Sequence, residues 1–397
     1  MLVPILALVM RLASAPTANF SFLLIAGYAL LGRAPAIQAL ALSWLFSMVS
    51  PGLAPELTFD TVGRYAVLTA AALSVLLRFR LDPTSAAFSA NRMVVFTVML
   101  GCLIAVHASF VSPIPDVSVL KALSWTVATA TLFSAWSGLS EQARERLEKQ
   151  VFGGLVVLML LSLPLLATSV GYLRNGTGFQ GVLAHPQAFG PTMGLLAAWA
   201  GSRALAERKP RWWLVTLFGG CLVLIVLSEA RTAGLATFLG LALAAMTGSF
   251  LSQRRVLAFL PGLRSPRLHL ALGLGVLLAI AGGSVLSERV DRYLTKRGDS
   301  GSLLDAYGQS RGEVIDRMVD NIAEHPLRGI GFGIGSDPTT MVVVRDPVLG
   351  LPTGAAIEKG VLPLAVLEEL GVFGFLLVAA WIAVLSRRAA RGGGMTA

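Results

Sequence analysis

Uninterrupted apolar runs, recurring from one end of the chain to the other, restrict its fold more than any motif does. They fall at about residues 2–14, 18–32, 35–50, 61–77, 93–111, 119–137, 151–172, 190–206, 212–229, 232–250, 269–287 and 361–386. A lipid interior offers backbone amides no solvent partner, so ~17–25 continuous apolar residues are stable there as a helix, which bonds within itself. Outer-membrane barrel strands would alternate polar and apolar residues instead. The reading is an all-α, polytopic membrane helix bundle of about twelve transmembrane helices, with residues 1–397 forming a single integral membrane domain. The first three runs are short for a bilayer, which sets the range at roughly ten to twelve. Residues 1–15 lack an early basic segment and carry Arg11 inside their apolar run, so they read as a first span rather than a cleaved signal peptide.

Composition agrees. With 55% hydrophobic residues, 14% charged residues and a mean hydropathy of +0.73, the chain is too apolar for a soluble protein of 397 residues. A net charge of +10 would suggest nucleic acid in a soluble domain, so its distribution decides its meaning. The basic residues sit in alternate short loops: Arg78, Arg80 and Arg92; Arg144, Arg146 and Lys149; Arg208, Lys209 and Arg211; Arg254, Arg255, Arg264 and Arg267; Arg387, Arg388 and Arg391. Intervening loops at 50–60 and 112–117 carry acids only. Basic loops resist translocation, so both termini are expected in the cytoplasm and residues 288–360 outside. The excess charge is topological, and no nucleic-acid partner is implied. Cys102 and Cys221 both lie inside apolar runs, which argues against a disulfide framework and a zinc site.

Residues 288–360 are the one long polar stretch, and chemistry is expected there. Val314, Ile315, Met318, Val319 and Ile322 have the spacing of an amphipathic helix over about 311–325, closed by Pro326 and Gly329. Such a helix suits the outer membrane face. The glycine- and proline-bearing segment 329–353 reads as loop.

Four clusters could carry chemistry. Arg231 lies between two apolar runs beside Glu229, where an arginine is costly unless paired or functional. It is either half of a buried pair fixing two helices or an anion clamp, since a guanidinium fork holds phosphate oxygens bidentately. Arg311 opens the amphipathic segment, which ends in His325, Arg328 and a glycine at every second position from Gly329 to Gly335. That spacing lets backbone approach a ligand closely, but it lacks the strand-turn-helix context of a dinucleotide site. His325 is equally read as a helix-end histidine bonding local carbonyls. Residues 181–190 contain His185-Pro186-Gln187, a helix start or a ligand-facing turn. Glu358 and Lys359 lead into the final run, with Glu368, Glu369 and Gly371 deeper in it. Acids inside a span are functional candidates or packing pairs with a basic residue. Arg174, after the seventh run, is a further substrate-binding candidate. His107 and His269 lie at run ends and read as interfacial. No metal-spaced carboxylate set, HExxH or nucleophile elbow is present, so no metal or other cofactor is expected.

These clusters resemble the O-antigen ligase and O-antigen polymerase superfamily of bacterial membrane glycosyltransferases. Residues 228–234 resemble its Ser-Arg-Thr motif, 311–335 its arginine followed by His-Pro-Leu-x-Gly-x-Gly, and 181–190 its Gly-x-x-x-His-Pro-Asn-x-x-Gly turn. Leu362 with Glu369-Leu370-Gly371 looks like its closing motif. The resemblance spans nearly the whole chain and implies a large periplasmic loop before the last helix. It implies transfer of oligosaccharide from an undecaprenyl diphosphate carrier to a sugar acceptor on the periplasmic face of the inner membrane, by a metal-independent inverting glycosyltransferase. The acceptor is a carrier-linked repeat unit in polymerases and lipid A-core in ligases. Arg231 and Arg311 would then grip the diphosphate, with His325 or Glu358 as a possible base and His185, Arg328, Lys359 and Arg174 on the substrate. Where ligases place a histidine at the closing motif, this chain has Glu358-Lys359-Gly360, which favours a polymerase of O-antigen or exopolysaccharide repeat units over a ligase. A transporter or flippase of lipid-linked sugars is the alternative from another class. It would show two repeated halves with midplane sites, and the halves do not resemble each other.

Overall fold

The computed structural model describes residues 2–81, 92–173, 178–253, 255–281, 283, 303–345, 350–355, 357, 359 and 362–393. Within those it leaves out the side chains of 79–81, 251–252, 278–279, 303–311, 353 and 390–393. The structure is 79% helical and nearly all-α. The helices are α1 (Leu2–Ala13), α2 (Ala15–Ala29), α3 (Arg33–Met48), α4 (Asp60–Leu81), α5 (Arg92–Val111), α6 (Pro115–Ser137), α7 (Glu141–Ser162), α8 (Pro186–Ala206), α9 (Trp212–Leu227), α10 (Arg231–Ser252), α11 (Val256–Phe259), α12 (Pro266–Ala281), α13 (Leu303–Glu324) and α14 (Leu362–Gly393).

Each apolar run overlaps one of these helices, although 151–172 continues past α7 into the 3₁₀ turns Leu163–Ala167 and Ser169–Gly171, and 269–287 extends beyond the described residues. Among the described residues, six stretches are long and apolar enough to cross a membrane: Asp60–Arg78, Arg92–Val111, Pro115–Ser137, Glu141–Ala167, Arg231–Phe250 and Leu362–Ala389. Leu2–Ala13, Trp212–Leu227 and Pro266–Leu277 are apolar but shorter. Large apolar side chains stay uncovered, Phe110 by 86% and Phe250 by 82%; exposure on this scale suits lipid rather than water.

The amphipathic helix expected from Arg311 starts at Leu303. The expectation of loop across 329–353 needs correction: β1 (Val343–Arg345) pairs antiparallel with β2 (Pro352–Ala355), and a short 3₁₀ turn, Pro338–Thr340, precedes them. Three valines, 342–344, supply the β-branched side chains that favour extended backbone, a run too short to stand out among the prolines and glycines.

The chain divides into two compact units. The first comprises Met1–Ser47, Pro55–Leu147 and Tyr307–Ser386. Its α1–α4 core buries Ala7, Ala29, Ala36, Ala39 and Ala71 around Phe22 and Phe46, whose rings meet edge to face at 6.0 Å. Lipid gives helices no hydrophobic reason to associate, so small residues that allow close backbone approach take that role. Arg11, only 3% exposed, donates from Nε to Phe46 O at 3.0 Å and from Nη1 to Pro55 O at 2.8 Å. Its buried charge thus meets one carbonyl left over at the end of α3 and one in the loop that follows. Helices α5 and α6 touch where a Cβ on Gly101 would lie 1.9 Å from Thr126 Oγ1. Helix α14 joins them through Trp381, whose indole donates to Thr97 Oγ1 at 2.9 Å.

The second unit comprises Met48–Ala54, Glu148–Ala306 and Arg387–Ala397. Trp199 of α8 stacks on Phe152 of α7 at 4.7 Å. Glu148 accepts from Trp199 Nε1 at 2.7 Å and Arg203 Nη2 at 2.6 Å. Gly194 lies against Thr237 of α10 and Gly201 against Phe218 of α9.

Candidate functional site

In the first unit the glycine run has a specific partner. Helix α14 breaks at Gly371, which has φ 64° and ψ −175°. A break frees carbonyls on one side and an amide on the other, and buried backbone groups need partners. Residues 326–331 supply them. Ile330 N donates to Glu368 O at 2.9 Å, Gly331 N to Glu369 O at 3.0 Å, and Val372 N to Pro326 O at 2.9 Å. The glycines make the approach possible. A Cβ on Gly329 would stand 2.6 Å from Glu368 O, and one on Gly371 2.2 Å from Leu327 O. Gly329, Gly331 and Gly333 have φ of 65°, 111° and 69°, a region L side chains disfavour. What this backbone approaches closely is therefore α14 at Gly329, Ser112 at Gly331 and Lys121 at Gly333.

The side chains around the break are ionic. Lys359 lies 2.8 Å from Glu368 Oε2 and 3.0 Å from Glu369 Oε1, with side chains 5%, 0% and 9% exposed. Glu368 Oε1 accepts from Asn321 Nδ2 at 2.7 Å, and Glu369 Oε2 from Gly333 N at 2.7 Å. Burying such charges is expensive unless they are paired and hydrogen-bonded; here each carboxylate has one hydrogen-bonded oxygen, while Lys359 Nζ and Glu368 Oε2 have ion-pair contact alone. Lys121 of α6 adds a further brace, donating to Gly333 O at 2.7 Å and Ala355 O at 2.9 Å.

Beside this assembly lies a cavity of about 700 Å³. Helix α3 contributes Ser43 and Trp44 to its wall, and α4 contributes Thr61, Arg64 and Tyr65. Lys121, Phe332, Gly333 and Glu369 close the other side. The rest of the wall is aliphatic, from Leu40, Leu68, Ala128, Ala355 and Ile357, so aromatic, hydroxyl and ionic groups are set in a largely apolar surface.

The sequence candidates of this unit are placed unevenly. His325 is half-buried at the end of α13, and its carbonyl accepts from Gly329 N at 2.9 Å. Arg328 is exposed, and its carbonyl accepts from the His107 ring at 2.6 Å, so His107 braces the clasp. Arg311 lies on α13 with its side chain outside the described residues, as is Glu358 altogether. Near the 3₁₀ turn, Asp337 pairs with Arg317 at 2.9 Å. The Thr339 hydroxyl and amide, with Arg317 beyond them, hold the Asp337 carboxyl below the usual carboxylate range.

In the second unit two other candidate segments meet. Ser228 caps α9: its Oγ donates to Ile225 O at 2.7 Å and accepts from Ala230 N at 3.3 Å. Glu229 then takes φ 56°, a left-handed conformation uncommon outside glycine, and Arg231 starts α10 half-buried. Gly190 lies against this turn; a Cβ there would stand 2.3 Å from Ala230 Cβ. Phe179 N donates to Leu227 O at 2.8 Å. His185 is the exposed N-cap of α8, its Nδ1 accepting from Gln187 N at 3.1 Å with Pro186 at the first helical position. Arg174 lies outside the described residues.

The structure therefore brings 181–190 to 228–231 in one unit, and 325–335 to 359–371 in the other. Sequence reasoning missed Lys121, Arg64 and Asn321. Lys121 had a signal: it is the one charge between Asp116 and Glu141, in an otherwise apolar run, a position where ionisable residues are rare. Arg64 had the same signal, as the one charge in the run 61–77; Asn321 had none. No protein-family model, curated protein or solved structure matches this chain.

Proposed function

We propose that the protein transfers oligosaccharide from a polyprenyl diphosphate carrier to a sugar acceptor at the outer face of the bacterial inner membrane, polymerising carrier-linked repeat units. The supporting observation is the folding of residues 325–335 onto the broken helix at Glu368-Glu369-Leu370-Gly371, beside a cavity whose wall holds Arg64, Lys121 and Glu369. Those are the segments that resemble the polymerase and ligase signatures. On this reading about twelve helices cross the bilayer, both termini are cytoplasmic, and residues 288–360 face outward.

Arg231, in the second unit, and Arg311, in the first, are the diphosphate ligands that the resemblance implies. Guanidinium donors placed where negative charge develops stabilise the departing group most when little water intervenes. His325, half-buried and close to the clasp, and Glu358 are the base candidates from sequence; His185, Arg328 and Arg174 are the substrate-contact candidates from sequence, while Lys359, the fourth, is taken up by Glu368 and Glu369. The test is chain extension in cells carrying Arg231→Ala or Arg311→Ala. Both variants should insert normally and make no long-chain polymer; normal polymer in both contradicts the proposal. A knockout should accumulate single carrier-linked units. Long carrier-linked chains there would assign the protein to ligation.

A further inference from the structure

We infer that the cavity of the first unit is a sugar-binding subsite for the acceptor, with Glu369 taking the proton of the attacking hydroxyl. The inference rests on the glycosyl-transfer reading and adds a place and a base to it. From sequence Glu369 reads as a span-embedded acid, functional or a packing partner, and His325 and Glu358 are the base candidates; the cavity wall is what points to Glu369.

The wall chemistry selects the ligand. A pyranose ring presents C–H faces, polarised positive by neighbouring oxygens, that pack on the negative face of an aromatic ring. Trp44, Tyr65 and Phe332 offer such faces. Its hydroxyls need mixed donors and acceptors, and Ser43, Thr61, Ser124 and Tyr65 provide them. The aliphatic stretch, Leu40, Leu68, Ala128, Ala355 and Ile357, can cover a sugar's apolar edge, whereas a lipid tail would leave Arg64, Lys121 and Glu369 without a polar partner in the cavity. A bare diphosphate would meet the Glu369 carboxylate beside Arg64 and Lys121. The volume of about 700 Å³ falls inside the roughly 300–1,000 Å³ of small-molecule sites.

Glu369 is set for its task by geometry. Lys359 at 3.0 Å from Oε1 and Gly333 N at 2.7 Å from Oε2 fix the carboxylate at the cavity wall. A carboxylate has about four acceptor positions, so these contacts leave others for a ligand hydroxyl. The charged groups around it are Lys359 and Glu368 in the ion-pair set, with Lys121 of α6 and Arg64 of α4 on the same cavity wall. In the step, the acceptor O–H gives its proton to Glu369 as its oxygen bonds to the donor's anomeric carbon. The bond from that carbon to the diphosphate oxygen breaks with its electron pair left on the diphosphate, and the proton passes later to water.

The experiment uses the full chain in lipid nanodiscs and two probes. One is inorganic pyrophosphate. The other is the free oligosaccharide released by mild acid from carrier-linked units of knockout cells. Trp44→Ala should weaken oligosaccharide binding about tenfold, raise the acceptor KM with kcat held, and leave pyrophosphate binding alone. Glu369→Gln should bind oligosaccharide as the wild type does while turnover falls by about a hundredfold or more. If Glu369→Gln fails to fold, Glu369→Asp takes its place: lower turnover with intact binding supports the inference, and unchanged turnover overturns it. Oligosaccharide binding untouched by Trp44→Ala and Tyr65→Ala overturns it. So does pyrophosphate binding that Arg64→Ala abolishes and Trp44→Ala spares, which would make the cavity an anion subsite. Failure of the parent reading looks different: no wild-type extension of carrier-linked units, whatever the cavity binds.

Discussion

Lys359 stands between two carboxylates that would otherwise confront each other in a nearly dry interior, with Glu368 and Glu369 side chains 0% and 9% exposed. Removing one member of such a set leaves uncompensated buried charge. Lys359→Met should therefore lower stability by ~3–5 kcal/mol, read as a lower melting midpoint in detergent. Lys359→Met combined with Glu368→Gln should recover much of that loss, because charge then leaves in a balanced way. A single variant as stable as the wild type would contradict the ion-pair account. At this scale the sequence was only partly readable. It marked Lys359 as important and Glu368 and Glu369 as costly, but what joins them is a helix entry, and nothing local in the chain says which way a lysine nine positions earlier will turn.

The glycine run and the broken helix are one device, built from two elements. Its geometry separates glycines that look alike in sequence. Gly331 has φ 111°, and a Cβ there would stand 2.7 Å from Ser112 Cα; Gly335 has its nearest neighbour, Asp337 O, at 3.6 Å, an ordinary contact. Gly331→Ala should cost about 1–3 kcal/mol from strain alone, whereas Gly335→Ala should be nearly neutral. Melting midpoints of the two variants side by side test this, and equal values would mean that Gly331 is not held in its left-handed conformation against Ser112. The periodic glycines were legible as a demand for close approach. The object approached at Gly329 was not, because it lies some forty residues on and exists only once α14 has bent. The β ribbon escaped for the converse reason: its strands draw on too few residues to outweigh the turn-formers around them.

For the whole molecule, the apolar runs were the most readable feature, since a lipid solvent applies the same backbone rule to every segment that enters it. The division into two compact units was not legible, as it depends on which helix faces share small residues. The charge pattern makes a prediction at this scale. With Cys102 and Cys221 replaced by serine, an impermeant maleimide should label Thr339→Cys in intact spheroplasts and Arg208→Cys only after permeabilisation. Labelling of both without permeabilisation would overturn the orientation. The bend at Gly371 also orders events during synthesis. Residues 326–331 leave the ribosome well before the carbonyls they will bind, so they must wait, their amides wet or borrowed, until Leu362–Gly393 arrives. A nascent chain stalled short of Glu368 should thus be cut readily by protease at the glycine run, and become resistant when elongation resumes.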